Sequence, residues 1–129
     1  MNPVNEVDSA IEINPSYYIE WQEPPVLTLD ERGMIRDCSK SGESLFGYRR
    51  HNLVWQHVSM LFPQLSGVAL VREERFNPQL NFLCHCGKLF QTRNRQGDTF
   101  LSKLSFVSLE NDGRRTLRLI VQPSDNTKS

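Results

Sequence analysis

The sequence is poor in features that mark several large protein classes. Its 129 residues contain three cysteines, Cys38, Cys84 and Cys86. This odd number gives no disulfide framework and favours a reducing cytoplasm. No apolar run approaches the ~18 residues that a membrane-spanning helix needs, and the N-terminus lacks the basic and apolar regions of a signal peptide. We therefore expect a cytoplasmic protein, with one alternative: the chain is a domain of a larger membrane-anchored protein.

Neither an excess of charge nor an enzyme motif is present. Lys plus Arg balance Asp plus Glu, 15 against 15, so no global field draws the chain to nucleic acid or to an anionic membrane surface. The sequence has no Walker or dinucleotide-binding glycine loop, and no Ser, His or acid stands in a recognisable hydrolase arrangement. We expect no nucleic-acid partner, no direct membrane contact and no enzymatic activity.

What the sequence does contain is one domain with short flanks. The chain is long enough for one compact domain and too short for two. Residues 1–22 carry apolar positions on one helical face, interrupted by Pro15, and are predicted to form a helical flanking segment. Residues 23–122 are predicted to be the domain. The polar residues 123–129 are predicted to be a linker or a disordered tail.

Turn and capping residues predict the order of elements within the domain. A Gly33 turn joins two short strands into a hairpin, and Ser39 can cap a helix that ends at Gly47. A second helix is predicted over residues 53–62, and helical turns and loop over residues 64–86. Three strands follow, of which the last two meet at Asn111-Asp112-Gly113. The fold class is therefore α+β, a single antiparallel five-stranded sheet with short helices packed on one face.

Two motifs carry a resemblance to a known family. Residues 29–35 (LDERGMI), 45–48 (LFGY) and 53–54 (LV) resemble the "D-x-x-G-x-I … l-f-G-Y … e-L-I" signature of the PAS family. Residues 93–100 (RNRQGDTF) are similar to its "R-x-D-G-x-x-F" hairpin. One departure is Trp55, which stands where the family usually has Gly. Because an indole is large and apolar, we expect Trp55 to be buried against a partner chain or a pocket wall.

The resemblance implies a sensory module that controls a linked signalling output such as a histidine kinase, a diguanylate cyclase or a chemoreceptor. Such a module binds a small ligand in a cavity between sheet and helices, dimerises, or does both. Members often dimerise through a helix before the first strand, and residues 4–21 are placed for that role. Two alternatives stay open: a ligand-free dimerisation scaffold and a haem-binding redox or gas sensor.

Candidate cavity residues come from strand alternation and from the predicted inner helix faces. They are Leu27, Leu29, Phe46, His57, Val58, Leu61, Phe82, Ser102, Leu104, Phe106 and Leu119. Ser102 is small and polar on an otherwise apolar face, so it leaves room or offers a hydrogen bond to a ligand. In the competing interpretation these residues fill the core, and Ser102 bonds to the backbone.

The sequence does not identify a cofactor. His57 and His85 are the candidates for an axial haem ligand, and a satisfied core histidine is the competing interpretation for His57. The helix predicted over residues 53–62 has no Cys, which excludes the photochemical flavin motif but leaves other flavin binding open. Cys84-His85-Cys86 offers fewer than the four ligands of a structural zinc site. We therefore predict no metal site.

Overall fold

The computed structural model describes residues 23–124. The predicted flank at residues 1–22 and the last five residues of the predicted tail lie outside the described residues. Strands β1 (Val26–Leu29) and β2 (Ile35–Cys38) precede helices α1 (Lys40–Phe46) and α2 (Arg50–Leu53). There follow, in chain order, 3-10 turns Val58–Met60 and Pro63–Leu65, β3 (Val71–Arg72), β4 (Arg75–Phe76), α3 (Pro78–His85), β5 (Leu89–Arg93), β6 (Thr99–Asn111) and β7 (Arg114–Pro123).

Five strands form one antiparallel sheet in the order β2-β1-β7-β6-β5. The first strand pairs with the last, with Val26 opposite Ile120 and Leu29 opposite Leu117. This pairing joins the two ends of the domain and confirms the predicted α+β sheet. Strands β3 and β4 form a separate two-stranded hairpin, which the sequence did not indicate.

The predicted hairpin turns and caps are confirmed. Asp112 and Gly113 have φ angles of 53° and 77°, the positive pair that a two-residue type I′ turn requires. The Ser39 side chain accepts a hydrogen bond from Gly42 N, and α1 ends at Gly47 in the left-handed conformation. These features depend on neighbouring residues in the sequence, which is why the pattern alone predicted them.

The helices and 3-10 turns cover one face of the sheet and bury one hydrophobic core. Its members come from every part of the described chain. The completely buried ones are Leu27, Leu29, Ile35, Phe46, Leu53, Val58, Leu61, Phe62, Leu117, Leu119 and Val121. The rings of Phe46 and Phe62 meet edge to face with centroids 6.0 Å apart, one of the favoured aromatic geometries. Within residues 23–124, no helix has the length and apolar character needed to cross a membrane.

The helix predicted over residues 53–62 does not form. Helix α2 ends at Leu53, and Trp55 takes a left-handed φ of 73°. The cause is hydrogen bonding to strand β2: Trp55 N donates to Ile35 O at 2.7 Å, and Ile35 N donates to Gln56 O at 2.8 Å. These backbone groups therefore form hydrogen bonds to the edge strand β2 and are not available for the hydrogen bonds of a helix.

Residues 64–86 contain more regular structure than predicted. Pro78 begins α3 at its first position, and the Asn77 side chain caps the helix by accepting from Gln79 N and Leu80 N. Proline suits this position because its missing N–H would have no partner there and its φ is already helical. The brief apolar run that includes Leu80, Phe82 and Leu83 is part of this helix.

Candidate functional site

The space between sheet and helices was the predicted ligand site. Eight of the proposed cavity residues have at most 1% of their surface accessible: Leu27, Leu29, Phe46, Val58, Leu61, Ser102, Leu104 and Leu119. A cavity wide enough for one water molecule leaves accessible surface on its walls. No cavity of that size therefore lies beside these eight residues, as in the close-packed interior of an ordinary protein.

Ser102 has a specific polar partner. Its Oγ accepts a hydrogen bond of 2.8 Å from Thr92 Oγ1, and both side chains are completely buried. The predicted alternatives for Ser102 were a ligand or the backbone, so this side-chain partner on the neighbouring strand is a correction. Satisfying the Thr92 hydroxyl inside the core avoids the cost of an unpaired buried donor.

His57 is placed differently from the prediction. It lies outside any α-helix and begins the 3-10 turn Val58–Met60, where its Nδ1 accepts from Ser59 N. Its other ring nitrogen packs against Gly33, where an added Cβ would lie only 2.8 Å from Nε2. Haem ligation needs a free ring nitrogen facing an open pocket. His57 does not fit that role.

Two further cavity candidates are less buried than these eight residues. Phe82 has 65% of its surface exposed, because it lies on the solvent side of α3, whose buried residue is Leu80. Phe106 is only partly buried, and its ring packs against Phe76 of β4 with centroids 4.8 Å apart. It thus anchors the small hairpin of β3 and β4, which was not predicted.

Cys84, His85 and Cys86 lie at the C-terminal end of helix α3. His85 is exposed, and its Nδ1 lies 2.9 Å from Asn81 O one turn earlier. Cys84 is half-buried and Cys86 is exposed; burial raises the pKa of the Cys84 thiol to about 11. Among residues 23–124, no three His, Cys, Asp or Glu side chains meet as a metal site would require. His85, at the surface, likewise does not face a haem pocket.

The outer face of strands β1, β5, β6 and β7, away from the helices, is apolar and positively charged. Leu101, Val107 and Leu109 of β6 are each between 37% and 42% exposed, and the half-buried Ile120 lies between Val26 and Ser105 on the same face. The charged residues at outward positions of β1, β5, β6 and β7 are Arg93, Lys103, Arg114 and Arg118. No carboxylate occupies an outward position of these four strands.

Trp55 forms a second exposed feature, at the edge of the sheet beside strand β2. Its indole is 59% exposed, so it is not buried against a pocket wall of this domain, and burial against a partner chain stays a prediction. The Arg36 guanidinium lies over the ring, 4.0 Å from its centroid. A left-handed backbone costs a residue with a side chain about 1–2 kcal/mol, whereas an exposed cation–π contact returns only about 0.5–1 kcal/mol. Trp55 therefore does little for the stability of the fold.

Sequence reasoning missed Arg36, Thr92 and Asn77. Asn77 had a detectable signal, since Asn followed by Pro is a typical start of a helix. Arg36 had no detectable signal in the sequence, because its position depends on a bulge in the pairing of β1 with β2. Bulges depend on the register of two strands, which the sequence of one strand does not show.

Comparisons with known proteins agree on the fold. The family model described as "PAS fold" matches residues 18–119. The PAS domain of a two-component sensor histidine kinase is similar, with 15% identity and a TM-score of 0.62 over 90% of this chain and 99% of that one. A PAS domain from Colwellia psychrerythraea has 18% identity and a TM-score of 0.60 over 92% and 99% of the two chains.

A third similar structure is the PAS domain of nitrogen regulation protein NR(II) from Vibrio parahaemolyticus. It has 18% identity and a TM-score of 0.55 over 85% of this chain and 97% of that one. No curated protein sequence matches the chain. At these identities the structural likeness concerns the fold alone.

Proposed function

The chain belongs to the PAS family of sensory signalling modules, and we propose that it works by protein contact: it dimerises through the outer face of its sheet and thereby controls a linked signalling effector. In this proposal residues 23–122 are the signalling domain and residues 4–21 contribute to the interface. The domain has no catalytic role. Effectors of the histidine kinase, diguanylate cyclase or chemoreceptor type suit such a module, and a similar PAS domain comes from a sensor histidine kinase.

The observation that carries the proposal is the match between the outer face and the N-terminal segment. Residues 1–22 contain Glu6, Asp8, Glu12 and Glu20 and no Lys or Arg, together with apolar and aromatic residues. The outer face carries the opposite charge. Its positive side chains surround an apolar stripe formed by Leu101, Val107, Leu109 and Ile120. Complementary charge and apolar area are what a specific protein contact uses.

The packing of the interior supports contact over ligand binding. Eight predicted cavity residues leave no accessible space beside them, and a drug-sized ligand needs a pocket of about 300 Å³ or more. Binding one would require the core to open, at the cost of its packing. The scaffold form of the PAS module therefore agrees better with these residues than the ligand-sensor form.

The test is the oligomeric state of the full chain by analytical ultracentrifugation. We expect a dimer that weakens as salt is raised, because screening reduces the attraction between exposed charges. Val107→Asp places a carboxylate in the apolar stripe and should raise the dimer dissociation constant by about tenfold or more. The control Ser66→Asp adds the same charge at an exposed position on the helix-covered side and should change nothing. A monomeric wild type, or a Val107→Asp dimer of unchanged affinity, contradicts the proposal.

A further inference from the structure

Trp55 is held at the surface by the backbone around it. Its N–H donates to Ile35 O at 2.7 Å, and the next carbonyl, of Gln56, accepts from Ile35 N at 2.8 Å. These bonds secure the left-handed φ of 73° and fix the direction in which the side chain leaves the backbone. Strained backbone of this kind persists where the surroundings enforce it, and it clusters at functional sites.

Arg36 is aimed at the indole by the bulge in strand β2. Thr28 pairs with Asp37 and Leu29 pairs with Ile35, so Arg36 is the extra residue. Its guanidinium lies 4.0 Å from the centroid of the Trp55 ring. The carboxylate of Asp30 is 4.0 Å from the guanidinium, which is too long for a hydrogen bond. Within residues 23–124, no hydrogen bond engages this guanidinium, so its donors remain available to a partner.

The two acids beside the pair are largely committed to other groups, and only Asp30 Oδ2 reaches Arg36, in an ion pair at 4.0 Å. Asp30 Oδ1 accepts from Arg32 N at 2.9 Å and from Met34 N at 3.0 Å. Asp37 is paired with Arg50. The backbone of Ile35 is likewise used by Trp55 and Gln56, so an incoming chain cannot add a strand there. A partner must therefore bind through side chains, and it must bring its own negative charge.

We propose that Arg36 and Trp55 together form a docking point for an acidic segment of a partner protein. A carboxylate of that segment pairs with the Arg36 guanidinium, and a neighbouring aromatic or proline side chain packs on the open part of the indole. Arg and Trp are among the residue types that most often dominate binding energy at interfaces. The pair lies at the edge strand β2 and is separate from the outer-face stripe of β6 and β7, so this inference does not depend on the dimer.

The test is an NMR titration of the ¹⁵N-labelled full chain. Because the chain has two tryptophans, Trp21 and Trp55, its spectrum carries two indole N–H signals, and Trp55→Gly assigns them. The probe is the synthetic peptide Glu-Tyr-Glu-Pro-Glu, and its control has Lys in place of each Glu. We expect the acidic peptide to shift the Trp55 indole signal to saturation and to leave the Trp21 signal in place.

Variants separate binding from folding. Arg36→Ala should raise the dissociation constant of the acidic peptide by about fivefold or more. The lysine peptide should cause no shift of the Trp55 signal. Trp55→Gly should abolish binding while its melting temperature stays equal or rises, because Gly adopts a positive φ freely. A fall of several degrees in Trp55→Gly would show a structural role and overturn the proposal. The proposal is also overturned if the acidic peptide leaves the Trp55 indole signal unmoved. It is overturned as well if the chemical shift of that signal changes with the concentration of the chain alone, because a second copy of the chain is then the occupant.

Discussion

Thr92 Oγ1 donates a hydrogen bond of 2.8 Å to Ser102 Oγ across strands β5 and β6, and neither side chain contacts water. This is a buried polar pair on a sheet face that is otherwise lined by apolar residues. It decides how two substitutions behave.

Ser102→Ala should lower the free energy of unfolding by about 1–3 kcal/mol, because the Thr92 hydroxyl loses its buried acceptor. Adding Thr92→Val removes that orphaned donor, so the double variant should recover most of the loss. Urea denaturation of both single variants and the double variant measures the coupling. If the two losses simply add, the hydrogen bond contributes nothing and the prediction is wrong.

Asn77→Ala should destabilise the domain by about 1–2 kcal/mol or more. The buried Asn77 side chain accepts from Gln79 N and Leu80 N and donates to Ala69 O at 2.7 Å. Ala removes both the cap of α3 and the link to the preceding loop, whereas Asn77→Ser retains a capping oxygen and should lose less. The exposed Gln79→Ala is the control, with an expected change within about 0.5 kcal/mol. Equal losses for Ala and Ser would exclude the capping contribution.

The three cysteines should react with a thiol reagent in a fixed order. Burial raises the pKa of Cys38 to about 12 and that of Cys84 to about 11, and the thiolate is the reactive form. Cys86 is exposed, so it should react first at pH 8, with Cys84 slower and Cys38 reacting only on unfolding. Mass spectrometry of partly labelled protein gives the order. Early labelling of Cys38 would show that its environment opens in the native state.

The raised pKa of Cys38 also predicts how the stability of the fold changes at alkaline pH. Because the folded pKa of Cys38 is raised to about 12, the folded state favours the neutral thiol. That contribution is complete below the unfolded pKa of about 8.5 and is lost as the pH rises toward about 12. Melting temperatures between pH 8 and pH 11 should therefore fall more steeply in the wild type than in Cys38→Ala. Parallel curves would contradict this assignment.

Freshly purified protein should carry no small-molecule ligand. The predicted cavity residues leave no accessible space beside them, so native mass spectrometry should give the mass of the bare chain or its dimer. An absorption scan should show neither a Soret nor a flavin band. A stoichiometric bound mass or either band would restore the ligand-sensor interpretation, and it would require the packed core around Leu61 and Leu104 to open.

The sequence predicted those features that depend on near neighbours. The Asn111-Asp112-Gly113 turn needs residues that tolerate positive φ, and the helix from Ser39 to Gly47 needs a capping oxygen and a left-handed end. Both are present in the sequence and both form. Alternation along β6 and β7 likewise placed Leu104, Leu117 and Leu119 inside. These patterns also supported the resemblance that led to the fold.

Tertiary structure decided the features that depend on distant partners. Residues 53–62 have an apolar pattern that favours a helix, yet Ile35 takes the hydrogen bonds of Trp55 and Gln56 and ends α2 early. Phe82 is as apolar as any core residue, but Leu80 is the buried residue of α3, and Phe82 remains outside. Local sequence states which conformations a segment favours. Segments that are distant in the sequence compete for backbone hydrogen bonds and for buried space when they meet. That competition determines which of the favoured conformations the folded protein adopts.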